Sequence, residues 1–187
     1  MRETTENRSG KTGAFPIADI VKIAVMAALT AVCAWLTIPM AVPFTLQTFA
    51  VFLTLKLLGG KRGTIAILVY ILLGAVGLPV FASFKGGMGA LTGPTGGYII
   101  GFLLTGLLYW GLGRFIKNTW AEDLVLFGGL LLCYLFGTVW FKHVMSLKGN
   151  DLSLLQGLTM CVFPYIIPDI LKLVLSDLLG RRLKKFV

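Results

Sequence analysis

Long apolar runs, divided by short polar breaks, constrain the fold of this chain more than any other feature of its sequence. A helix that crosses a bilayer needs about 20 mostly apolar residues. Runs of roughly that length lie near residues 20–38, 45–60, 63–82, 95–113, 123–141 and 158–180. They lack the apolar–polar alternation of a membrane barrel, and backbone in lipid must form its own hydrogen bonds. We therefore predict an all-α membrane protein with six transmembrane helices.

Composition and charge narrow the class further. Hydrophobic residues make up 57% of the 187 residues and charged residues 13%, which leaves too little polar surface to coat a soluble globule. The net charge of +9 does not indicate nucleic-acid binding, because no basic patch with interleaved aromatic residues stands outside the apolar runs. The three cysteines form no CxxC or Cys/His pair, so we predict no disulfide, no metal site and no cofactor.

The basic residues predict an orientation. Of the 17 lysines and arginines, 13 fall in the N-terminal tail through Lys22, in the stretches "LKLLGGKRG" and "GRFIK" at the ends of the second and fourth runs, or at the C-terminus. Cytoplasmic loops carry an excess of Lys and Arg, so we predict cytoplasmic N- and C-termini and outward loops after the first, third and fifth runs. Residues 1–18 are then a short cytoplasmic tail on a single membrane domain, 1–187, in the bacterial cytoplasmic membrane.

The last run carries an acid and a base near its middle, in "PDILK", with Asp169 and Lys172 three residues apart. Each such group costs about 2.5 to 3.5 kcal/mol at a bilayer centre. An ion pair that faces other helices recovers only about 0.2 to 0.5 kcal/mol in water, and a proton relay would need further carboxylates. We favour contact with a ligand over these two alternatives. Pro168 supports it, because it frees the carbonyl near Pro164, and free backbone in a membrane lines cavities.

A glycine-rich stretch, "FASFKGGMGALTGPTGGYIIGF" at residues 81–102, forms the predicted outward loop after the third run and the start of the fourth helix. Thr95 is a candidate N-cap of that helix, and open NH groups of Gly96 and Gly97 would attract a carboxylate. No GKS or GKT follows the stretch, so it is not a phosphate loop, and the chain has no visible ATP site of its own.

The glycines of this stretch have two competing explanations. For Gly86, Gly87 and Gly96, close approach of the backbone to a ligand competes with helix packing. Gly101 and Thr105 follow the small-xxx-small spacing that lets membrane helices approach closely, and we assign both to packing.

Two further stretches supply candidate contacts. In "IPMAVPFTLQT" at 38–48, Thr45 lies at the predicted start of the second helix and Gln47 soon after. These neutral groups could cap the helix, join helices or contact a ligand. The first helix carries a face of small residues, which typically marks a helix contact within or between chains. That face consists of Ala24, Ala27, Ala28 and Ala31.

Residues 42–102, with "VPFTLQT", "LGAVGLPVF" and "GPTGGY" in that order, and "PDILK" at 168–172 closely resemble the BioY family. Its members are the biotin-specific substrate-binding subunits of energy-coupling-factor (ECF) vitamin transporters. The resemblance covers nearly the whole chain. It implies a six-helix subunit that binds biotin from outside with high affinity and is not an enzyme. Transport would need a transmembrane coupling protein and two ATPase subunits from other chains.

The resemblance also implies roles for individual residues. Asp169 and Lys172 would be polar anchors of the ligand, and Tyr98 carries over with the loop before it. The alanine face is similar to the motif through which such subunits dock on the coupling protein. The chain departs from the family at "SFKGG", where mostly small residues are expected, so the roles of Phe84 and Lys85 stay open.

From these features we expect a ligand cavity that opens to the extracellular side. The ureido ring of biotin would meet Asp169 and Lys172, and its carboxylate would meet the glycine loop, the fourth helix and Lys85, or the reverse. Residues 81–94 would act as a lid. The alternatives are a carrier that works alone, a protein for another small carboxylate vitamin, and a protein whose polar groups only assemble helices. An enzyme is disfavoured, because no second carboxylate, histidine or cysteine lies at a depth comparable to that of Asp169.

Overall fold

The computed structural model describes residues 16–40, 42–116 and 118–185, and these are mostly helical. The helices are α1 (Ile17–Trp35), α2 (Gln47–Ala75), α3 (Met88–Thr92), α4 (Gly96–Leu112), α5 (Thr119–Leu147), α6 (Leu154–Cys161) and α7 (Phe163–Leu183). Two short strands, β1 (Thr37–Ile38) and β2 (Phe44–Thr45), pair antiparallel between α1 and α2. Most of the predicted tail, 1–18, lies outside the described residues.

Helix α2 consists of two antiparallel segments rather than one rod. At Gly59 the backbone leaves the helical region, with φ 73° and ψ 177°, a conformation that essentially only glycine adopts. A Cβ on Gly63 would lie 3.1 Å from Leu55 Cα, and the Gln47 side-chain amide donates to the Tyr70 hydroxyl. In a straight helix residues 47 and 70 would be about 35 Å apart. The chain therefore reverses at Gly59, within the break predicted between the second and third runs.

Several helices are long and apolar enough to cross a membrane. By length and composition, α1, α2 and α5 qualify, and α6 with α7 qualifies as one span bent by 45°. Helix α4 is apolar but has 17 residues. The bend falls at Val162, between the two helices, and Pro164 lies in the first turn of α7, where a missing NH costs nothing.

Two predicted runs continue past the ends of the helices that the structure shows. The helix of the third run ends at Ala75 instead of continuing to residue 82, because Gly77 has a φ of 108° and Pro79 cannot donate to a helix. The helix of the first run ends at Trp35, since the following residues turn into β1.

Small residues let α4 and α5 approach closely. A Cβ on Gly101 would lie 2.6 Å from Cys133 Sγ, and one on Gly129 would lie 3.2 Å from Thr105 Cα. Thr105 Oγ1 also donates to the Gly129 carbonyl at 2.9 Å. The packing role predicted for Gly101 and Thr105 is confirmed.

Ion pairs gather at one end of the bundle. Arg62, just after the α2 reversal, pairs with Asp19 at the start of α1 at 2.8 Å. Lys56 is 3% exposed and pairs with Asp123 of α5 and, at 2.7 Å, with Asp177 of α7. We call these last three residues the buried charge cluster. The contacts bring together the start of α1, the α2 reversal, the start of α5 and the end of α7.

Candidate functional site

A cavity of about 510 Å³ lies at the other end of the bundle, among the loops that follow α1 and α2. Sites for small ligands commonly have this size and combine mostly apolar walls with a few fixed polar groups. The apolar wall includes Val42, Phe81, Ala90, Ile99, Phe102 and Leu130. The polar side chains of the wall are those of Thr45, Gln47, Thr48, Lys85, Thr95, Tyr98, Tyr134, Tyr165, Asp169 and Lys172.

Asp169 and Lys172 both lie on the cavity wall and are 4% and 6% exposed. They are one turn apart in α7, and Lys172 Nζ donates to Asp169 Oδ1 at 2.7 Å. Tyr134 of α5 donates to the other oxygen, Asp169 Oδ2, at 2.6 Å. Each carboxylate oxygen thus holds one donor. Because a carboxylate has about four acceptor positions, Asp169 can accept a further hydrogen bond from a ligand.

Lys172 has less spare capacity than Asp169. Its Nζ also donates to the Thr45 carbonyl at 2.7 Å and lies 4.1 Å from the centre of the Phe44 ring. An ammonium group has three donors, and here it has three partners: a carboxylate, a carbonyl and the face of an aromatic ring. Lys172 thereby ties α7 to β2 at the edge of the cavity.

Gln47 links the cavity wall to the second half of α2. Its side-chain amide donates to the Tyr70 hydroxyl, and its backbone NH donates to Thr45 Oγ1 at 3.2 Å. The Tyr70 ring meets Phe81 edge to face, with ring centres 5.6 Å apart. Phe81 is 2% exposed and packs so closely on Gly74 that a Cβ there would overlap its ring. The loop after α2 is therefore anchored next to a polar group of the wall.

That loop is strained next to the residues that line the cavity. Ser83 and Phe84 have φ angles of 58° and 57°, in the left-handed region that is unfavourable for residues other than glycine. The Phe84 ring stacks on Trp35 with centres 5.1 Å apart, and Trp35 Nε1 donates to the Pro79 carbonyl at 2.7 Å. The C-terminal end of α1 thus holds the strained loop in place.

Most of the residues predicted to contact a ligand lie on the cavity wall. These are Asp169, Lys172, Thr45, Gln47, Lys85, Gly86 and Tyr98. Gly87 and Gly96 lie outside the wall. Gly87 has a φ of 84°, and a Cβ on Gly96 would overlap the Leu91 carbonyl, so backbone geometry explains both glycines.

The predicted anion site at the start of α4 differs from expectation. The NH of Gly96 donates to the Gly93 carbonyl at 3.1 Å and is not open to a carboxylate. Thr95 takes the N-cap position, but its side chain forms no capping hydrogen bond. A tight turn before α4 thus uses one of the two NH groups that the sequence predicted to be open, that of Gly96.

Sequence reasoning missed Tyr134, Tyr165 and Phe44. Tyr165 precedes Asp169 by four residues in α7, and this i,i+4 spacing was a signal that could have found it. The Tyr165 hydroxyl donates to the Val42 carbonyl, and its ring stacks on Phe44 with centres 6.4 Å apart. Tyr134 lies in another helix, and no local pattern places it beside Asp169.

The alanine face of α1 is divided between two environments. Ala24 and Ala28 are exposed, whereas Ala27 and Ala31 are 2% and 6% exposed and pack in the core of this chain. The boundary of the buried face runs along the helix between the two pairs. Ala27 and Ala31 therefore pack within this chain, whereas Ala24 and Ala28 leave part of the predicted partner surface exposed.

Residues 4–187 match the BioY family. The chain is 42% identical over 169 residues to the biotin transporter BioY of Thermotoga maritima, which covers 89% of this chain and 96% of the relative. It is 39% identical over 167 residues to a probable biotin transporter BioY of Pyrococcus horikoshii, with the same two coverages.

Two solved structures share the fold. A crystal structure of the S-component for biotin from an ECF-type ABC transporter aligns with a TM-score of 0.80 and 28% identity, over 93% of this chain and 96% of that chain. An S component of a bacterial ECF transporter aligns with a TM-score of 0.53 and 20% identity, over 91% of this chain and 97% of that chain. The second likeness supports the fold alone.

Proposed function

Because this chain belongs to the BioY family, we propose that it is the biotin-specific S component of an ECF-type ABC transporter. It is a multi-pass membrane protein that binds biotin and takes part in its uptake, and it is a carrier subunit rather than an enzyme. One observation carries the proposal: in a close relative of known biotin transporters, a cavity of about 510 Å³ has the buried Asp169 and Lys172 on its wall.

The proposed topology is a single membrane domain, 1–187, with six spans. They are α1, the two halves of α2, α4, α5 and the bent pair of α6 and α7. The reversal at Gly59 supports counting α2 twice. Basic residues such as Arg62 and Arg181 cluster with the buried ion pairs at one end of the bundle. By the excess of positive charge in cytoplasmic loops, that end and both termini face the cytoplasm, and the cavity opens to the outside.

The proposed recognition places the ureido ring of biotin at Asp169 and Lys172. The ring offers two NH donors and one carbonyl acceptor, and Asp169 has acceptor positions left for an NH. Lys172 can donate to the ring carbonyl by exchanging its contact with the Thr45 carbonyl, which would also loosen β2. Thr45, Gln47 and the hydroxyl of Tyr98 supply neutral polar contacts along the wall.

The proposed partner for the valerate carboxylate is Lys85, on the loop that covers the cavity. Gly86 beside it brings backbone to the wall, and Gly87 and Gly96 shape the turns on either side. The opposite orientation, with the carboxylate at Lys172, remains the alternative. A charge-assisted bond to Lys85 in either case would join the ligand to residues 81–94, so that biotin itself closes this lid.

The proposed partners are a transmembrane coupling protein and two ATPase subunits, which supply the energy. The exposed Ala24 and Ala28 of α1 are the surface on which the coupling protein would dock, because small residues allow close helix approach. A chain that carries biotin without these partners is a variant of this function. Uptake assays in cells with and without the coupling proteins distinguish the two variants.

The test is titration of the purified chain in detergent by calorimetry, with biotin and with biotin amide. Tight binding of biotin by the parent, together with much weaker binding by Asp169→Asn and Lys172→Met, is the expected result. Weaker binding of the amide in the parent, but not in Lys85→Met, would assign the carboxylate to Lys85. Equal binding of lipoate, a vitamin carboxylate without a ureido ring, would contradict biotin as the specific ligand, and unchanged affinity in both charge variants would contradict the assigned site.

A further inference from the structure

Tyr134 lines the cavity and donates a hydrogen bond of 2.6 Å to the proposed ligand anchor Asp169, but it has no role in the function described so far. We propose that Tyr134 is a positioning residue that fixes the Asp169 carboxylate as the acceptor for an N–H of the ligand. The inference rests on the proposed function and goes beyond it by assigning the recognition of the ureido ring to two helices instead of to α7 alone.

The Asp169 carboxylate accepts hydrogen bonds from side chains on two different helices. Lys172 holds Oδ1 from within α7 at 2.7 Å, and Tyr134 holds Oδ2 from α5 at 2.6 Å. With both oxygens held, the carboxylate cannot turn about its terminal torsion, which is otherwise broad, without breaking a bond. Its remaining lone pairs therefore keep fixed directions. A ligand N–H then meets an acceptor that needs no reorganisation, and preorganisation of this kind raises affinity.

The single proton of the Tyr134 hydroxyl limits what the wall can offer. The side chain is 8% exposed, lines the cavity and gives its proton to Asp169. Its oxygen therefore has only lone pairs left for a ligand. Asp169 and Tyr134 together form a patch that accepts hydrogen bonds and donates none. A ligand carbonyl placed at this patch would have no donor, whereas a ureido N–H would have an acceptor. Sites of this kind reject ligands that leave a buried polar group without a hydrogen-bond partner.

A purely structural tie between α5 and α7 is the alternative explanation of the same bond. The two explanations differ in what Tyr134→Phe does once Asp169 has lost its charge. If Tyr134 acts through Asp169, removing its hydroxyl has little further effect on binding in an Asp169→Asn chain. If it only holds helices together, the loss is the same in both backgrounds.

The experiment is a double-mutant cycle on the full chain in detergent. Biotin affinity is measured by calorimetry, with biotin up to millimolar concentrations, for the parent, Tyr134→Phe, Asp169→Asn and the double variant. Tyr109→Phe is the matched control, because Tyr109 is also buried, at 5% exposure, but lies on a groove beside the α2 reversal. Tyr134→Met serves as a second variant without a hydroxyl donor, and thermal unfolding without ligand checks the fold of each chain.

We expect Tyr134→Phe to weaken biotin binding about tenfold to a hundredfold, the range for losing a hydrogen bond to a charged group. In the Asp169→Asn background the same change should alter affinity by less than about twofold. Equal losses in the two backgrounds, or affinity in Tyr134→Phe equal to that of Tyr109→Phe, would overturn the inference. A parent chain that does not bind biotin at all would instead overturn the proposed function.

Discussion

Among the described residues, Lys56 and Lys172 are buried lysines at opposite ends of the bundle, and replacing each by methionine separates stability from binding. They are 3% and 6% exposed, and both form ion pairs. Lys172 lies on the cavity wall, whereas Lys56 belongs to the buried charge cluster. We predict that both changes destabilise the protein and that only Lys172→Met impairs biotin binding.

The expected loss of stability depends on which ion-pair and hydrogen-bond partners remain after each substitution. Removing one member of a buried ion pair costs about 3 to 5 kcal/mol, because the other charge stays buried. After Lys56→Met, Asp177 still pairs with Arg181 at 2.7 Å and Asp123 has a side chain 25% exposed, so the cost should lie near the lower limit. After Lys172→Met, Asp169 keeps only the bond from Tyr134, so the cost should lie near the upper limit.

Thermal unfolding of the purified chains, with and without biotin, is the assay. At 2 to 4 °C for each kcal/mol, the unfolding temperature should fall by about 6 to 12 °C in Lys56→Met and by about 10 to 20 °C in Lys172→Met. Biotin at a hundred times its Kd stabilises a native protein by about 2.7 kcal/mol, or roughly 5 to 11 °C. Lys56→Met should keep that increase, and Lys172→Met should lose it.

Different results would contradict the predictions for Lys56 and for Lys172. An unfolding temperature of Lys56→Met equal to that of the parent would show that the charge cluster does not leave a buried charge behind. A full biotin-dependent increase in Lys172→Met would remove Lys172 from the site. Loss of the biotin effect in Lys56→Met, with the fold intact, would mean that the charge cluster and the cavity are coupled, contrary to the prediction.

Three further predictions test the reversal, the partner surface and the lid. Gly59→Ala should destabilise the chain by about 1 to 3 kcal/mol, because φ is 73° at this position. Gly111→Ala is the control and should not destabilise the chain, because its Cβ would meet open space. Circular-dichroism melting compares the two variants. Ala24→Leu should prevent co-purification with the coupling protein and leave biotin affinity unchanged, while the buried Ala27→Leu should lower stability by about 1 to 3 kcal/mol in thermal melts. Trp35→Phe removes the donor that holds the loop after α2, so biotin should dissociate about two- to tenfold faster in stopped-flow measurements, and an unchanged rate would contradict the lid role.

Much of the architecture could be predicted from the sequence, because the hydrocarbon core of a bilayer restricts both the composition and the backbone structure of segments that cross it. Apolar runs must be helical in lipid, so the run near 95–113 corresponds to α4 within one residue, and the run near 123–141 lies inside the longer α5. The "GGKRG" break predicted the reversal in α2, since only glycine adopts the conformation of Gly59. The predicted third run extends beyond the end of α2, because hydrophobicity continues past Ala75 into a loop whose course is set by Gly77 and Pro79.

The candidate site, like the fold, was only partly predictable from the sequence. "PDILK" places an acid and a base on one face of one helix, and the spacing of three residues already implies that Asp169 and Lys172 meet. The other partners of this pair, Tyr134 and the Thr45 carbonyl, lie 35 and 127 residues away in the sequence. No periodicity connects such positions, and the division of the alanine face of α1 likewise depends on which neighbours cover it.

By itself, then, the sequence determined that this chain enters the membrane as helices and buries an acid beside a base, because helix length, backbone hydrogen bonding and i,i+3 spacing are local properties. Only the tertiary structure decided that Tyr134 holds the second oxygen of Asp169, that Lys172 is shared with β2, and that Lys56 lies between two acids. These contacts depend on how separate helices pack, and packing is set by the shapes of all the side chains together.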